Sequence, residues 1–593
     1  MGIVEFQVRT KMKKTAEHRQ RFTVVTKEKA GGMTYTPKRL SDFVAAQMVN
    51  VANNLSPGAA VRILDPAVGD GELLVSLLEQ LTQFAQRNGL RLEVYGFETD
   101  QQALAHATAR LKDLFPTILI DIKPTNFLDF VLEHHDRDFT GDLFRSLVPE
   151  TYDLIIANPP YVRTQIMGAS QAQLLAQQFG LSGRVDLYHA FILGIARVLN
   201  RGGIAGIIVS NRFMTTKSGS AVRHAIREQF NILHVWDLGD TKLFDAAVLP
   251  CVLLLEGRNG HATAAAAFTS IYESNDLPCA DADDAIGALS EAGVVQTADG
   301  RRFRVQHGML DSVGALDSVW RIATAASDAW LSRVQAHTWA TFSAIGNIRV
   351  GVKTCADKVF IRSDWNTLPP DLRPELLRPV TTHKIAGRFK AILPDSPRQI
   401  IYPHEVIDGQ RQPVDLSHYP KTKNYLEQHR DILEGRTYVR EAGREWYEIW
   451  VPQDPNAWAA PKLVFRDIVE QPMFWIDTSG SIVNGDCYWL TCDLPGQTDL
   501  IWLAVAVGNS TFIERFYDYR FHNKLYAGRR RFITQYVEHF PLPDPGAALG
   551  KAIISKSKQA YACLETNASR DLEVELDRLV WQAFGFSVEE MSG

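Results

Sequence analysis

The sequence predicts an α/β domain on a largely parallel sheet, followed by an α+β domain of different texture. Three observations carry that reading. Between about 40 and 256, short apolar β-branched runs alternate with helical stretches, the pattern of parallel strands joined by helical crossovers. Beyond about 340 the chain turns rich in Tyr, Trp, Arg and Pro, with short strands and mixed turns. At 593 residues it is too long for one ordinary core. The expected organisation is a basic segment over 1–30, a first domain over 31–335 and a second over 336–593.

Composition sets the broad class. Hydrophobic residues at 46% and charged residues at 22% are the mix of a folded chain. No apolar run reaches the roughly 18 residues of a membrane span. The start, "MGIVEFQVRTKMKK", lacks the apolar segment of a secretory signal. A cytoplasmic protein without a membrane partner is therefore expected. The cysteines are scattered with no CxxC pair, so neither a metal site nor a disulfide framework is expected. A net charge of −5 speaks weakly against nucleic acid, although local patches decide that question. One such patch, Arg9 to Lys29, is either an arm for phosphate or a solvated helix face.

The strands are read from "VRILDPA", "LEVYGFE", "ILIDIKP", "YDLIIANPP", "GGIAGIIVS", "NILHVWDLG" and "PCVLLLE", with helices such as "GELLVSLLEQLTQFAQR" between them. An amphipathic stretch near 318–337 bridges towards the second domain, and a closing helix is expected from about 555 to 584.

Ligands of such sheets bind beyond the carboxyl ends of the strands, and there the chain carries three signals. "ILDPAVGDGELL" ends a strand in Asp65, turns through Gly69 and Gly71, and enters a helix. Glycines let backbone approach a ligand and the acid suits an ammonium group, although many such turns are only structural. "VYGFETD" ends the next strand in Glu98, which suits the two hydroxyls of a ribose and equally suits a helix cap. "PTNFLDF" places Asn126 and Phe127 after a third strand, an amide for a purine edge and an aromatic for its face. In order along one edge they describe a site for methionine, ribose and adenine, that is, for S-adenosylmethionine.

"IIANPPYVR" follows a fourth strand, and its proline pair must begin a rigid loop. With "GGMTYTPKRLSDFV", "TNFL", "DLYHAF" and "LGDTKLFDAAVLPCVLLLE", the series resembles the ordered motifs of the gamma-group N6-adenine DNA methyltransferases. The second domain resembles, in texture, the target-recognition domain of the TaqI and Eco57I-like enzymes. The resemblance implies a Rossmann-like S-adenosylmethionine-dependent methyltransferase domain with a C-terminal α+β target-recognition domain. It further implies contacts from Thr36 to the methionine end of the cofactor, from Asp65, Ala67 and Gly69 at the turn, from Glu98 to the ribose, and from Asn126 and Phe127 to the adenine. The family more often has Asp where this chain has Asn126, which implies altered cofactor affinity.

An adenine amino group is a poor nucleophile because its lone pair is delocalised into the ring. Two acceptors on a rigid loop, the side-chain oxygen of Asn158 and the carbonyl of Pro159, would hold its two N–H groups, and Pro160 adds stiffness. The base must leave the duplex at a cost of a few kcal/mol, and stacking returns roughly 1–3 kcal/mol. Tyr161 is the expected first platform and, by resemblance, Phe244 the second.

Sequence readout is expected from "HKIAGRFK" (383–390) and from the segment 518–543, where Arg and Lys interleave with aromatics. Arg529, Arg530 and Arg531 are the expected DNA contacts, the alternative being a solvated basic loop. The expected partners are double-stranded DNA and a separate cognate endonuclease, since too little chain precedes the first domain for a fused nuclease. Competing readings are a methyltransferase of protein glutamine or RNA, and a non-catalytic DNA-binding subunit. The large Arg- and Tyr-rich second half disfavours the former, and the intact NPPY disfavours the latter. Neither the recognition sequence nor the oligomeric state is readable from the chain.

Overall fold

The computed structural model describes residues 35–52, 58–135, 151–161, 169–181, 186–244, 248–258, 265–312, 319–522, 525, 528–563 and 568–591. The basic segment over 1–30 lies outside the described residues. Two compact units emerge, Met1–Thr324 and Ala325–Gly593. The helix Ala325–Ala336, which the sequence reading gave to the first domain, is counted in the second. Among the described residues no helix is long and apolar enough to cross a membrane.

The first unit is built on seven strands, each where an apolar run predicted one: β1 (Ala60–Asp65), β2 (Arg91–Phe97), β3 (Leu119–Lys123), β4 (Tyr152–Ala157), β5 (Leu199–Ser210), β6 (Phe230–Asp237) and β7 (Pro250–Gly257). Their spatial order is β3-β2-β1-β4-β5-β7-β6. The pairs from β3 to β5 are parallel, while β7 runs antiparallel to both β5 and β6. The order reverses between β1 and β4, and such a switch point opens a crevice at the carboxyl ends of the strands.

Alternation along the central strands explains why both faces are covered. Ile63, Leu154, Ile156, Ile204 and Ile208 enter one core. Leu64, Ile155, Ala157, Ala205, Ile207 and Val209 enter the other. Successive strand residues point to opposite faces, so uninterrupted apolar runs demand helices on both sides. Helices α1 (Lys38–Val51) and α2 (Glu72–Asn88) fill the first face. Helices α3 (Gln101–Leu114), also packed there through Ala107 and Leu111, and α4 (Phe127–His135) lead out of the loops after β2 and β3. The second face is filled by α4 and by α5 (Leu187–Val198).

The sheet does not stop at β6. Strands β8 (Ala267–Glu273), β9 (Ala280–Ala282), β10 (Gly293–Thr297) and β11 (Arg302–Asp311) extend it to twelve strands, with β12 (Arg321–Ala323) paired to β11. The Ala- and Asp-rich composition of 260–311 concealed this extension.

The second unit holds a five-stranded and a four-stranded sheet with flanking helices. Its tryptophans are largely core: Trp365, Trp458, Trp475 and Trp489 are all buried. The expected closing helix is two helices, Ala548–Cys563 and Ala568–Ala583.

Candidate active site

A cavity of about 400 Å³ opens at the carboxyl edge of β1 to β4. Its wall is made of four successive strand-to-helix loops: Pro66, Ala67 and Gly69; Glu98, Thr99 and Asp100; Thr125, Asn126 and Phe127; and Asn158, Pro159, Pro160 and Tyr161. Tyr35, Phe97, Leu187 and Phe191 complete it. Residues predicted from separated stretches of sequence are thus brought to one place.

The first loop turns sharply because Gly69 and Gly71 take φ of 56° and 81°, a left-handed region that side chains resist. Gly71 caps α2 and packs on Ala107 rather than lining the cavity. Asp65 is fully buried beneath this turn and, unlike Pro66, Ala67 and Gly69, is not itself among the cavity-lining residues. Its Oδ1 accepts from the Ala67 N–H at 2.9 Å, while its Oδ2 is buried with no hydrogen-bond partner. Burial pushes the Asp65 carboxyl up to about 7, against the Ala67 N–H, with Glu98 and Asp70 adding repulsion. A buried carboxylate oxygen short of a partner beside a cavity fits an ammonium group, the group at the methionine end of S-adenosylmethionine.

Glu98 holds the second loop together. One oxygen accepts from the Gly69 N–H at 2.9 Å and the other from the Asp100 N–H at 2.7 Å. The helix cap itself is Asp100, whose Oδ1 accepts from the Gln102 and Ala103 N–H groups. Glu98 is therefore not spent on capping, and each of its oxygens retains a lone pair for a ribose hydroxyl.

Asn126 caps α4 through Oδ1, which accepts from Leu128 N–H at 2.9 Å. Its exposed amide lines the cavity. Phe127 lines the same wall, but its residue is 1% exposed and its ring packs at 5.6 Å from Phe97 and 5.7 Å from Phe191. The expectation of a free aromatic face is corrected: the ring belongs to the core because α4 must bury an apolar side against α5.

Asn158 follows β4, and its Nδ2 donates to the Thr36 hydroxyl at 3.0 Å. Tyr161 is half-buried at the cavity, with its hydroxyl 3.5 Å from the Ile208 carbonyl. Burial pushes its phenol far above the ordinary value, so it stays neutral.

Three further expectations change. Thr36, expected at the cofactor, is 8% exposed and is not among the cavity-lining residues. Phe244, the expected second platform, is 7% exposed and packs, beside the partly buried Leu243, in the core shared with α1 and α2. Of the three arginines, Arg530 is clamped by Asp518 at 2.8 and 2.9 Å and by Glu514 at 3.0 Å. Arg531 is held by Asp467 at 2.9 and 3.2 Å. Only Arg529 is exposed, 3.6 Å from Glu470. The aromatics around them, Phe521, Phe532, Tyr536 and Phe540, are buried. In "HKIAGRFK", Arg388 is likewise paired with Glu573 at 2.6 Å. In these segments Arg530, Arg531 and Arg388 are thus held in ion pairs within the second unit and the aromatics belong to its core.

Sequence reasoning missed Leu187 and Phe191, although both stand in "DLYHAF" at the start of α5. Their four-residue spacing on one helical face was the available signal. Tyr35, next to Thr36, gave no signal of its own.

Residues 88–244 match the family described as Eco57I restriction-modification methylase, and residues 407–542 match the TaqI-like C-terminal specificity domain. Type II methyltransferase M.BanIII of Aneurinibacillus aneurinilyticus is 36% identical, over 95% of this chain and 98% of the relative. Type II methyltransferase M.PaeR7I of Pseudomonas aeruginosa is 25% identical, over 95% and 93%. Among solved structures, a nuclease-deletion mutant of the Type ISP restriction-modification enzyme LlaGI, in complex with a DNA substrate mimic, shares the fold at a TM-score of 0.51. That alignment is 12% identical and covers 90% of this chain and 55% of the other. With matches in both halves and a near full-length relative at 36% identity, the chain belongs to the Type II DNA methyltransferases of restriction-modification systems.

Proposed function

We propose that this chain transfers a methyl group to N6 of an adenine flipped out of double-stranded DNA, and so modifies host DNA against a separate cognate endonuclease. The observation that carries the reading is the placement of Asn158, Pro159, Pro160 and Tyr161 on the same cavity as the Gly69 turn, Glu98 and Asn126.

S-adenosylmethionine supplies an electrophilic methyl group on a sulfonium centre. The chain's own residues do the rest. Asp65 takes the ammonium, Glu98 the ribose hydroxyls, and Asn126 the nucleobase edge. The Asn158 side-chain oxygen and the Pro159 carbonyl would accept from the two N–H groups of the target, which localises the nitrogen lone pair for attack on the methyl carbon. As the nitrogen–carbon bond forms the sulfur–carbon bond breaks and S-adenosylhomocysteine leaves. The surplus proton on the nitrogen passes to water, so no strong base is needed. The two prolines fix that loop, so little reorganisation remains at the moment of transfer. Tyr161 presents a neutral ring for stacking.

The test is incubation of purified protein with radiolabelled S-adenosylmethionine and unmethylated genomic DNA, followed by digestion to nucleosides. Label in N6-methyldeoxyadenosine is expected. Label in N4-methyldeoxycytidine instead would overturn the choice of base, and label confined to RNA or protein would overturn the substrate class.

A further inference from the structure

Tyr35 stands on the cavity wall, 58% exposed, and among the described residues it makes no hydrogen bond and no contact with another ring. The other aromatics of the wall are committed. Phe97, Phe127 and Phe191 are buried in the core, and Tyr161 is the platform proposed for the target base. We infer that Tyr35 turns the face of its ring to the sulfonium charge of S-adenosylmethionine, and so makes the site prefer the charged donor to its neutral product, S-adenosylhomocysteine. The inference rests on the reading of this cavity as the donor site.

Position favours the sulfonium over the two ends of the donor. A Cβ built on Gly69 would lie 4.0 Å from Tyr35 Cε1, so the ring stands beside the Gly69 turn. The Gly69 N–H is in turn bonded to Glu98, the residue proposed for the ribose. The next residue along, Thr36, has its hydroxyl 3.0 Å from Asn158 Nδ2. Tyr35 therefore lies where the donor side of the cavity meets the loop proposed to hold the target nitrogen. In the donor the sulfonium is bonded between the ribose and the amino-acid chain, and its methyl must face that nitrogen for in-line attack. The reacting sulfur belongs at the same boundary.

Chemistry favours it as well. A sulfonium brought into a cavity loses water and needs another source of negative potential. A carboxylate would supply that potential, but it is itself a nucleophile towards a methyl group on sulfur. The face of an aromatic ring attracts a cation within about 6 Å of its centre and presents no anionic oxygen to the methyl. The carboxylates of the wall are already engaged, Glu98 by the Gly69 and Asp100 N–H groups and Asp100 by those of Gln102 and Ala103. No Lys or Arg among the described lining residues opposes the charge. Once the methyl has gone the sulfur is neutral, and the attraction to the ring goes with it.

The experiment compares full-length wild type with Tyr35→Leu, Tyr35→Phe and Glu98→Ala, by calorimetry with S-adenosylmethionine and, separately, with S-adenosylhomocysteine. Tyr35→Leu, which keeps apolar bulk and removes the ring, should weaken S-adenosylmethionine about fivefold and leave S-adenosylhomocysteine within about twofold of wild type. Tyr35→Phe keeps the ring and should leave both within about twofold. Circular dichroism melting checks folding, and if Tyr35→Leu melts early, Tyr35→Met must show the same split. Equal weakening of the two ligands by Tyr35→Leu would overturn the inference and make the ring an apolar cover. Two unchanged affinities would overturn it too, and a Tyr35→Phe variant that behaves like Tyr35→Leu would assign the effect to the hydroxyl instead. In these cases a Glu98→Ala variant that binds both ligands weakly leaves the donor site standing, and the inference alone falls. If Glu98→Ala binds both ligands as wild type does, the reading of the cavity falls and the inference with it.

Discussion

The contact proposed between Asp65 and the donor's ammonium group would make donor binding depend on pH in a calculable way. In the ligand-free fold its carboxyl is pushed up from 3.8 to about 7 by burial, which at about 1.4 kcal/mol per unit makes ionisation cost about 4 kcal/mol more than in water. The ammonium of S-adenosylmethionine selects the ionised form and brings the charge that the orphaned Oδ2 needs. Binding must therefore be accompanied by proton release below neutral pH. A carboxyl with a pKa of about 7 is roughly half ionised at pH 7, a tenth at pH 6 and a hundredth at pH 5. The apparent Kd should thus rise about fivefold from pH 7 to 6 and about tenfold more from 6 to 5. The sign follows from the raised value: affinity is present above it and lost as pH falls through it. Equilibrium dialysis across this range is the assay, with circular dichroism to confirm folding. Among the described residues no histidine lines the cavity to confuse the reading. Asp65→Asn should bind weakly and almost independently of pH. A flat wild-type profile, or the same slope in Asp65→Asn, would refute the assignment of the ammonium to Asp65.

Other outcomes follow from the same geometry. Asn158→Ala should reduce transfer by about a hundredfold or more, with cofactor affinity nearly intact, as measured by single-turnover methylation beside calorimetry. Glu98→Ala removes two charge-assisted bonds to the Gly69 and Asp100 N–H groups; it should weaken donor binding about tenfold or more, which a cofactor titration would read directly. Arg530→Ala strands Glu514 and Asp518 in a largely buried clamp, and should cost about 3–5 kcal/mol in denaturant unfolding of the second unit. Arg529→Ala, at an exposed position, should change stability by less than about 0.5 kcal/mol. Any loss of DNA affinity in a gel-shift assay would then report a contact and not unfolding.

The parts of the molecule legible in the sequence are those specified locally. Each of the first seven strands is an apolar run bounded by its own turn residues, and each cavity loop announces itself by a change of chemistry at a strand end. Asp65, Glu98 and Asn158 could be singled out because a polar residue closing an apolar strand has few other reasons to be there. The misreadings share a different cause. Whether Arg531 faces solvent depends on Asp467, 64 residues earlier, and nothing in "GRRRF" reports that partner. Phe244 and Phe127 were read as faces for a base because they adjoin functional motifs, whereas packing across the sheet decides where an aromatic ring goes. The strands from β8 to β11 were missed because their Ala- and Asp-rich texture weakens the period-two pattern that a half-covered sheet margin would otherwise show.

The placement of β7 has a consequence for how the chain comes into being. This strand lies between β5 and β6 although it follows both in sequence. Among the described residues β6 pairs with β7 and β8, and both are made after it. As the nascent chain emerges, the loops that form the cavity are complete well before the sheet beneath them can close. Until β7 inserts, β5 presents an open edge and β6 has no partner at all, which is the condition that invites pairing with another chain. β7 acts as a keystone, and a ribosome paused before it would hold every residue of the cavity yet no closed sheet to carry them.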